Sequence, residues 1–111
     1  MSTRSIIAIK NDDNSYDTIY CHSDGYIEGG VGDELRDHFP TEENARTLIA
    51  AGDHSSIIDG CDPYSDRDDE DWEDVKPRHF DNETELNLML SESWAEYVHT
   101  FVDGKWVHKQ I

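Results

Sequence analysis

The sequence predicts an α+β domain: a four-stranded, mainly antiparallel sheet made of two hairpins, with two or three helices packed on one face and an acidic loop. Three observations carry this. Strand-like runs of β-branched and aromatic residues lie at both ends of the chain, helical spacing with capping residues lies between them, and clusters of turn formers separate the two kinds of segment.

Ser5–Lys10 (SIIAIK) reads as a short apolar strand, Asn11–Asn14 (NDDN) as turn formers, and Tyr16–His22 (YDTIYCH) as the returning strand of a hairpin. Four glycines in Ser23–Gly32 indicate a tight loop. Val31, Leu35 and Phe39 are spaced i, i+4, i+8 and suggest a short helix before Pro40. Thr41 then caps TEENARTLIAAG, with acids in the first turn, Ala45, Leu48 and Ile49 as the buried stripe, and Gly52 as the stop. Asn82 and Glu85 form a capping-box pattern that opens a helix running to about Ser91, with Leu86, Met89 and Leu90 inward. In EYVHTFV–DG–KWVHKQ the Asp103–Gly104 pair suits a type I′ turn, and that register sets Phe101 opposite Trp106 and His99 opposite His108.

At 111 residues the chain is one domain with a modest core. Hydrophobic residues make up 35% of it, a low share, but three Trp, five Tyr and three Phe argue for a folded chain. Two cysteines, Cys21 and Cys61, are too few for a disulfide scaffold. MSTRSIIAIK has only a four-residue apolar stretch, so neither a signal peptide nor a transmembrane segment is expected and the location is cytoplasmic by default.

The formal net charge is −17, and Asp59–Asp74 (DGCDPYSDRDDEDWED) holds nine acids against one base, Arg67. The other 95 residues still carry −9, so direct binding to DNA, RNA or an anionic membrane is disfavoured for want of a basic patch. Such self-repulsion is costly, which suggests a positively charged partner. An extended chain advances about 3.3 Å per residue and phosphates along a DNA strand sit about 3.4 Å apart, so a dense Asp/Glu run presents charge at nearly nucleic-acid density. The residues 59–77, bounded near either end by Pro63 and Pro77, are a candidate mobile loop. The expected partner-binding residues are Asp62, Tyr64, Asp66, Asp68, Asp69, Glu70, Asp71, Trp72, Glu73 and Asp74, the interleaved aromatics being favoured interface anchors. The bland alternative is a solvated loop that aids solubility.

Other chemistries fit poorly. An EF-hand frame starting at Asp66 has Asp71 where glycine is needed and Pro77 where the bidentate glutamate belongs. Cys21, His22, His54 and Cys61 lack zinc spacing, so no metal or cofactor is expected. Cys21 and His22 are adjacent on a strand and point to opposite faces, which is wrong for a nucleophile and its base, so no enzyme is expected. The glycines of GYIEGGVGDEL match neither phosphate-loop pattern, and Glu28, Asp33 and Glu34 would repel phosphate. The loop CHSDGYIEGGVG remains a second candidate binding site through His22, Asp24, Tyr26 and Glu28.

TRSIIAIKNDDNSYDTIYCHSDGYIEGGVGDEL, then TEENARTLIAAGDHSSI, then the Glu96–Trp106 hairpin resemble a group of small phage and prophage proteins. These share a pattern like TRSxIxIxNxDGTYxxIYCHxDGYPEGVG, a helix ending LIxLGDxSSL and a closing YxYxFxDGxW hairpin. The match runs from Thr3 to Ile57 and from Glu96 to Trp106, and leaves the acidic segment unmatched. Ile27 stands where a proline is usual, and Gly29–Gly30 adds a glycine. The resemblance carries over no catalytic residue. It implies a setting: a mobile-element protein in bacterial cytoplasm, acting against host defence as anti-CRISPR or related inhibitors do. The expectation is an inhibitor that occupies the basic nucleic-acid-binding surface of a defence complex such as a CRISPR effector. A non-enzymatic regulatory or scaffold module that uses the CHSDGYIEGGVG loop is the alternative. Oligomeric state stays open, with the exposed side of the C-terminal hairpin as the candidate interface.

Overall fold

The N-terminal hairpin forms where β-branched residues meet turn formers. In the computed structural model, which describes residues 3–58, 60–67 and 70–111, β1 (Ser5–Lys10) and β2 (Tyr16–Cys21) pair antiparallel from Ser5↔Cys21 to Lys10↔Tyr16. Asn14 takes the left-handed conformation in the turn, and Asp13 accepts bonds from the Ser15 amide and hydroxyl.

Helix α1 (Val31–His38) and helix α2 (Glu42–Ala50) follow. The Thr41 hydroxyl accepts from the Asn44 amide at 3.1 Å, as its position before two glutamates predicts, and Ala45, Leu48 and Ile49 are buried. Three short elements come next: β3 (His54–Ser56), β4 (Asp62–Pro63) running into a 3-10 turn at Tyr64–Asp66, and the single-turn helix α3 (Trp72–Val75). Then come β5 (Arg78–Phe80), α4 (Glu83–Glu92), β6 (Tyr97–Val102) and β7 (Lys105–Gln110). The Asn82 side chain accepts from the Glu85 amide at 2.9 Å and so opens α4. Asp103 and Gly104 both have positive φ, the geometry of the type I′ turn, and the register sets Phe101 opposite Trp106 and His99 opposite His108.

The described strands make one mixed sheet in the order β4-β3-β2-β1-β6-β7, with β5 also on β2. Both expected hairpins are present and are joined by parallel pairing of β1 with β6. Seven strands replace the expected four, because β3, β4 and β5 are two or three residues long and too short to show periodicity.

The helices also do not share one face. Ile7, Ile9, Ile19, Phe101 and Trp106 pack with α1 and α2 residues such as Leu35 and Leu48. Ile6, Tyr16 and Val98 pack with Leu86 and Leu90 of α4 in a separate cluster. Neighbours Ile6 and Ile7 therefore serve opposite sides, and β1 is buried along Ser5–Ile9 because both its faces are covered.

Candidate functional site

Backbone hydrogen bonds join the described parts of the acidic segment to the sheet. Ser56↔Asp62 and His54↔Pro63 pair β4 with β3, the Tyr64 amide donates to the Asp53 carbonyl at 3.0 Å, and the Asp53 amide donates to the Val75 carbonyl at 2.7 Å. Val75 is buried, and the Trp72 ring lies over Gly52, where an added Cβ would come 3.0 Å from the indole and 2.5 Å from the Val75 carbonyl. A side chain at position 52 would force the Val75 carbonyl or the Gly52 backbone to shift, and the positive φ of 84° there adds strain.

Asp53 is the centre of this attachment. It is buried, and its carboxylate accepts the Tyr20 amide at 2.8 Å and faces the Arg78 guanidinium at 3.2 Å. In this way it fills the gap on β2 between the partners β5 and β3. Burial raises its pKa, opposed by the Tyr20 amide and by Arg78. Arg78 also donates to the Asp74 carbonyl at 3.1 Å, so one side chain bridges the sheet and α3.

The side chains on this frame point outward. Asp62, Asp66, Glu70, Asp71, Glu73 and Asp74 are all exposed, while Asp68 and Asp69 lie outside the described residues. Asp71 also has a structural task, accepting the Glu73 amide at 3.1 Å as the N-cap of α3. The nearby cations are engaged: Arg67 with Asp62 at 3.0 Å and Lys76 with Glu73 at 2.7 Å. Tyr64 is half-buried with the Arg67 guanidinium 5.0 Å above its ring, and Trp72 is 43% exposed. Both aromatics therefore serve the segment's own structure, and Trp72 keeps part of its ring accessible.

The CHSDGYIEGGVG loop is organised differently. Its amides at Gly25, Gly29, Val31 and Gly32 donate respectively to the Thr3 carbonyl, the Asp33 carboxylate, the Asp24 carbonyl and the Tyr26 carbonyl. The His22 amide donates to His54, and its ring Nδ1 bonds the Tyr20 hydroxyl at 2.7 Å. Asp24 is exposed in a left-handed conformation, Tyr26 is 45% exposed beside Tyr97, and Glu28 is exposed. An added Cβ on Gly32 would sit 2.2 Å from the Ile27 carbonyl, so this glycine answers to a close backbone approach. The structure does not gather His22, Asp24, Tyr26 and Glu28 around an open set of amides.

Below the loop lies a pair of rings that sequence reasoning set opposite each other without assigning a role. His99 is fully buried, and its Nε2 donates to the Gly25 carbonyl at 2.9 Å. Its Nδ1 then accepts from His108 Nδ1 at 2.8 Å, which leaves His108 Nε2 a buried acceptor without a partner among the described residues. Burial pushes the pKa of His99 down to about 4 and lowers those of His108 and His54.

Cys21 sits in the core, where burial pushes its thiol up to about 12, far from the thiolate a nucleophile requires. Among the described residues no group of three or more His, Cys, Asp or Glu is placed to hold a metal ion. None of the described helices is long and apolar enough to cross a membrane. Comparison of the chain with protein-family models, with curated proteins and with solved structures found no match.

Proposed function

We propose that this chain is a non-enzymatic inhibitor that uses its acidic segment as a nucleic-acid mimic, occupying the basic nucleic-acid-binding surface of a host defence complex such as a CRISPR effector. The observation that carries the reading is the exposure of Asp62, Asp66, Glu70, Asp71, Glu73 and Asp74 on a backbone tied to the sheet through Asp53 and Arg78. Carboxylates on a fixed frame lose less freedom on docking than carboxylates on a free tail. The resemblance to phage proteins supplies the biological setting and the net charge of −17 supplies long-range attraction to a cationic channel. The loop module is the weaker reading, since the loop exposes Asp24, Tyr26 and Glu28 where the acidic segment exposes six carboxylates among its described residues.

The test is a pull-down from bacterial lysate at low and moderate salt, with added nucleic acid as competitor. The wild-type chain should retain a nucleic-acid-binding complex that is released by salt and by the competitor. A chain carrying Asp66→Lys, Glu70→Lys, Glu73→Lys and Asp74→Lys, with the capping Asp71 kept, should retain none. Equal retention by that variant would refute the mimic and return attention to the loop.

A further inference from the structure

The outer side of α4 and the turn after it carry apolar surface beyond the cores: Leu88 and Trp94 belong to neither cluster, while Met89 and Phe80 are partly buried at the edge of the second. Leu88 is 61% exposed and Trp94 is 83% exposed, the most of any large hydrophobic residue described. Leu88, Met89 and Phe80 line a groove of about 470 Å³ flanked by the carboxylates of Glu85 and Glu92. Beside it, a cleft of about 320 Å³ has Trp94 and Met89 on its wall and Arg4, Arg78 and Asp53 among its lining, Arg78 being paired with Asp53 so that among the described residues Arg4 is the cation left over. Met89 and Ser93 belong to both depressions, so the two form one continuous surface.

The charges on this surface are divided. Among the described residues, Glu85 and Glu92 make no ion pair, and neither does Arg4 on the other side. A uniformly basic partner would meet Arg4 as well as the glutamates, and a uniformly acidic one would meet the glutamates as well as Arg4. The occupant that matches both halves is one that carries the same division in reverse. A two-fold rotation about the shared Met89–Ser93 boundary supplies it, because an isologous contact sets each patch against its own complement.

We propose that this face is a dimerisation surface occupied by a second copy of the chain. The Trp94 ring of each protomer enters the Phe80–Leu88–Met89 groove of the other, and Arg4 of each lies over the Glu85 and Glu92 carboxylates of the other. Net charges of −17 oppose the approach of two copies at long range, while the apolar and paired contacts act only when the surfaces meet. Salt therefore strengthens this association, the opposite of its effect on a mimic bound to a cationic channel. The inference stands apart from the acidic-segment reading, and either can fail without the other.

Sedimentation equilibrium of the full chain, from micromolar to millimolar concentration at low and physiological salt, tests it. The expected result is a monomer–dimer equilibrium that tightens as salt rises. Trp94→Ser and Leu88→Ser, both at exposed positions, should each weaken it by about tenfold or more with an unchanged circular dichroism spectrum. Arg4→Glu alone and Glu85→Arg/Glu92→Arg alone should weaken it, and the three together should restore it. A monomer under every condition, a dimer indifferent to Trp94→Ser and Leu88→Ser, or failure of the combined charge swap to restore association would overturn the proposal.

Discussion

The CHSDGYIEGGVG loop and the acidic segment are both irregular and both held by backbone bonds, yet they differ in the charge they expose. In the loop, four amides bond within the domain, a glycine admits a neighbouring carbonyl and a buried histidine holds Gly25 from below, while the Asp24, Tyr26 and Glu28 side chains are exposed. Among the described residues of the acidic segment, Tyr64, Asp74 and Val75 are bonded to Asp53 or Arg78 while six carboxylates, Asp62, Asp66, Glu70, Asp71, Glu73 and Asp74, stay exposed. Recurrent sequence signatures can thus mark what a fold demands, and the residues available to a partner can sit in the stretch with no signature.

The largest expected effect falls on the loop. Gly32→Ala puts a methyl group 2.2 Å from the Ile27 carbonyl, and a urea melt should show a loss of about 3 kcal/mol. Acidification should reach the same region through His99. Its folded pKa of about 4 lies below the unfolded value near 6.5, so its contribution is fully present above the unfolded value and is lost as pH falls through the folded one. Stability measured across this window should drop by up to about 3 kcal/mol, with His54 and His108 acting in the same direction. His79 opposes them: its bond to Asp17 raises its pKa, so its contribution is present below about 6.5 and fades as pH rises through the higher folded value.

A middle effect belongs to the attachment of the acidic segment. Arg78→Ala leaves the Asp53 carboxylate buried without its guanidinium. Because Arg78 is half exposed, the cost is about 1–2 kcal/mol, accompanied by faster amide exchange at Asp53 and Lys76. The smallest effect on stability is expected from Glu70→Lys, Glu73→Lys and Asp74→Lys. These exposed changes should move the melt by no more than about 0.5 kcal/mol while they remove binding to a cationic partner. A large stability loss from the lysine set, or a negligible one from Gly32→Ala, would erase the contrast between the two regions.

Much of the fold was legible because local chemistry and tertiary structure agree. Thr41 and Asn82 cap the helices they precede, Asp103–Gly104 turns the hairpin it was expected to turn, and Ala45, Leu48 and Ile49 are buried. The placement of α4 on the second face was the main miss. The signal for it lay in SIIAI, an unbroken apolar run where a sheet covered on one side would alternate. The short strands were not legible, since Cys21↔His54 is a single bridge with no period to detect. Asp53 reads as one more acid in a chain with 26 acidic residues, and only the fold gives it Tyr20 and Arg78 as partners. Leu88 falls outside the expected inward set of Leu86, Met89 and Leu90 and is exposed, while Leu86 and Leu90 are buried and Met89 is only partly so.

The parallel pairing of β1 with β6 has a kinetic consequence. Ser5 meets Tyr97 and Ile9 meets Phe101, so the central strand waits for a partner at nearly the far end of the chain. Pairing at such sequence separation requires closure of a long loop and makes folding slow for a domain of this size. During synthesis the β1–β2 hairpin emerges early with β1 unpaired along one edge and Ile6, Ile7 and Ile9 not yet covered. The hairpin itself is nearly neutral, with Asp12, Asp13 and Asp17 against Arg4 and Lys10, so the mutual repulsion that keeps incomplete chains apart arrives only with the later acidic residues, above all Asp59–Asp74.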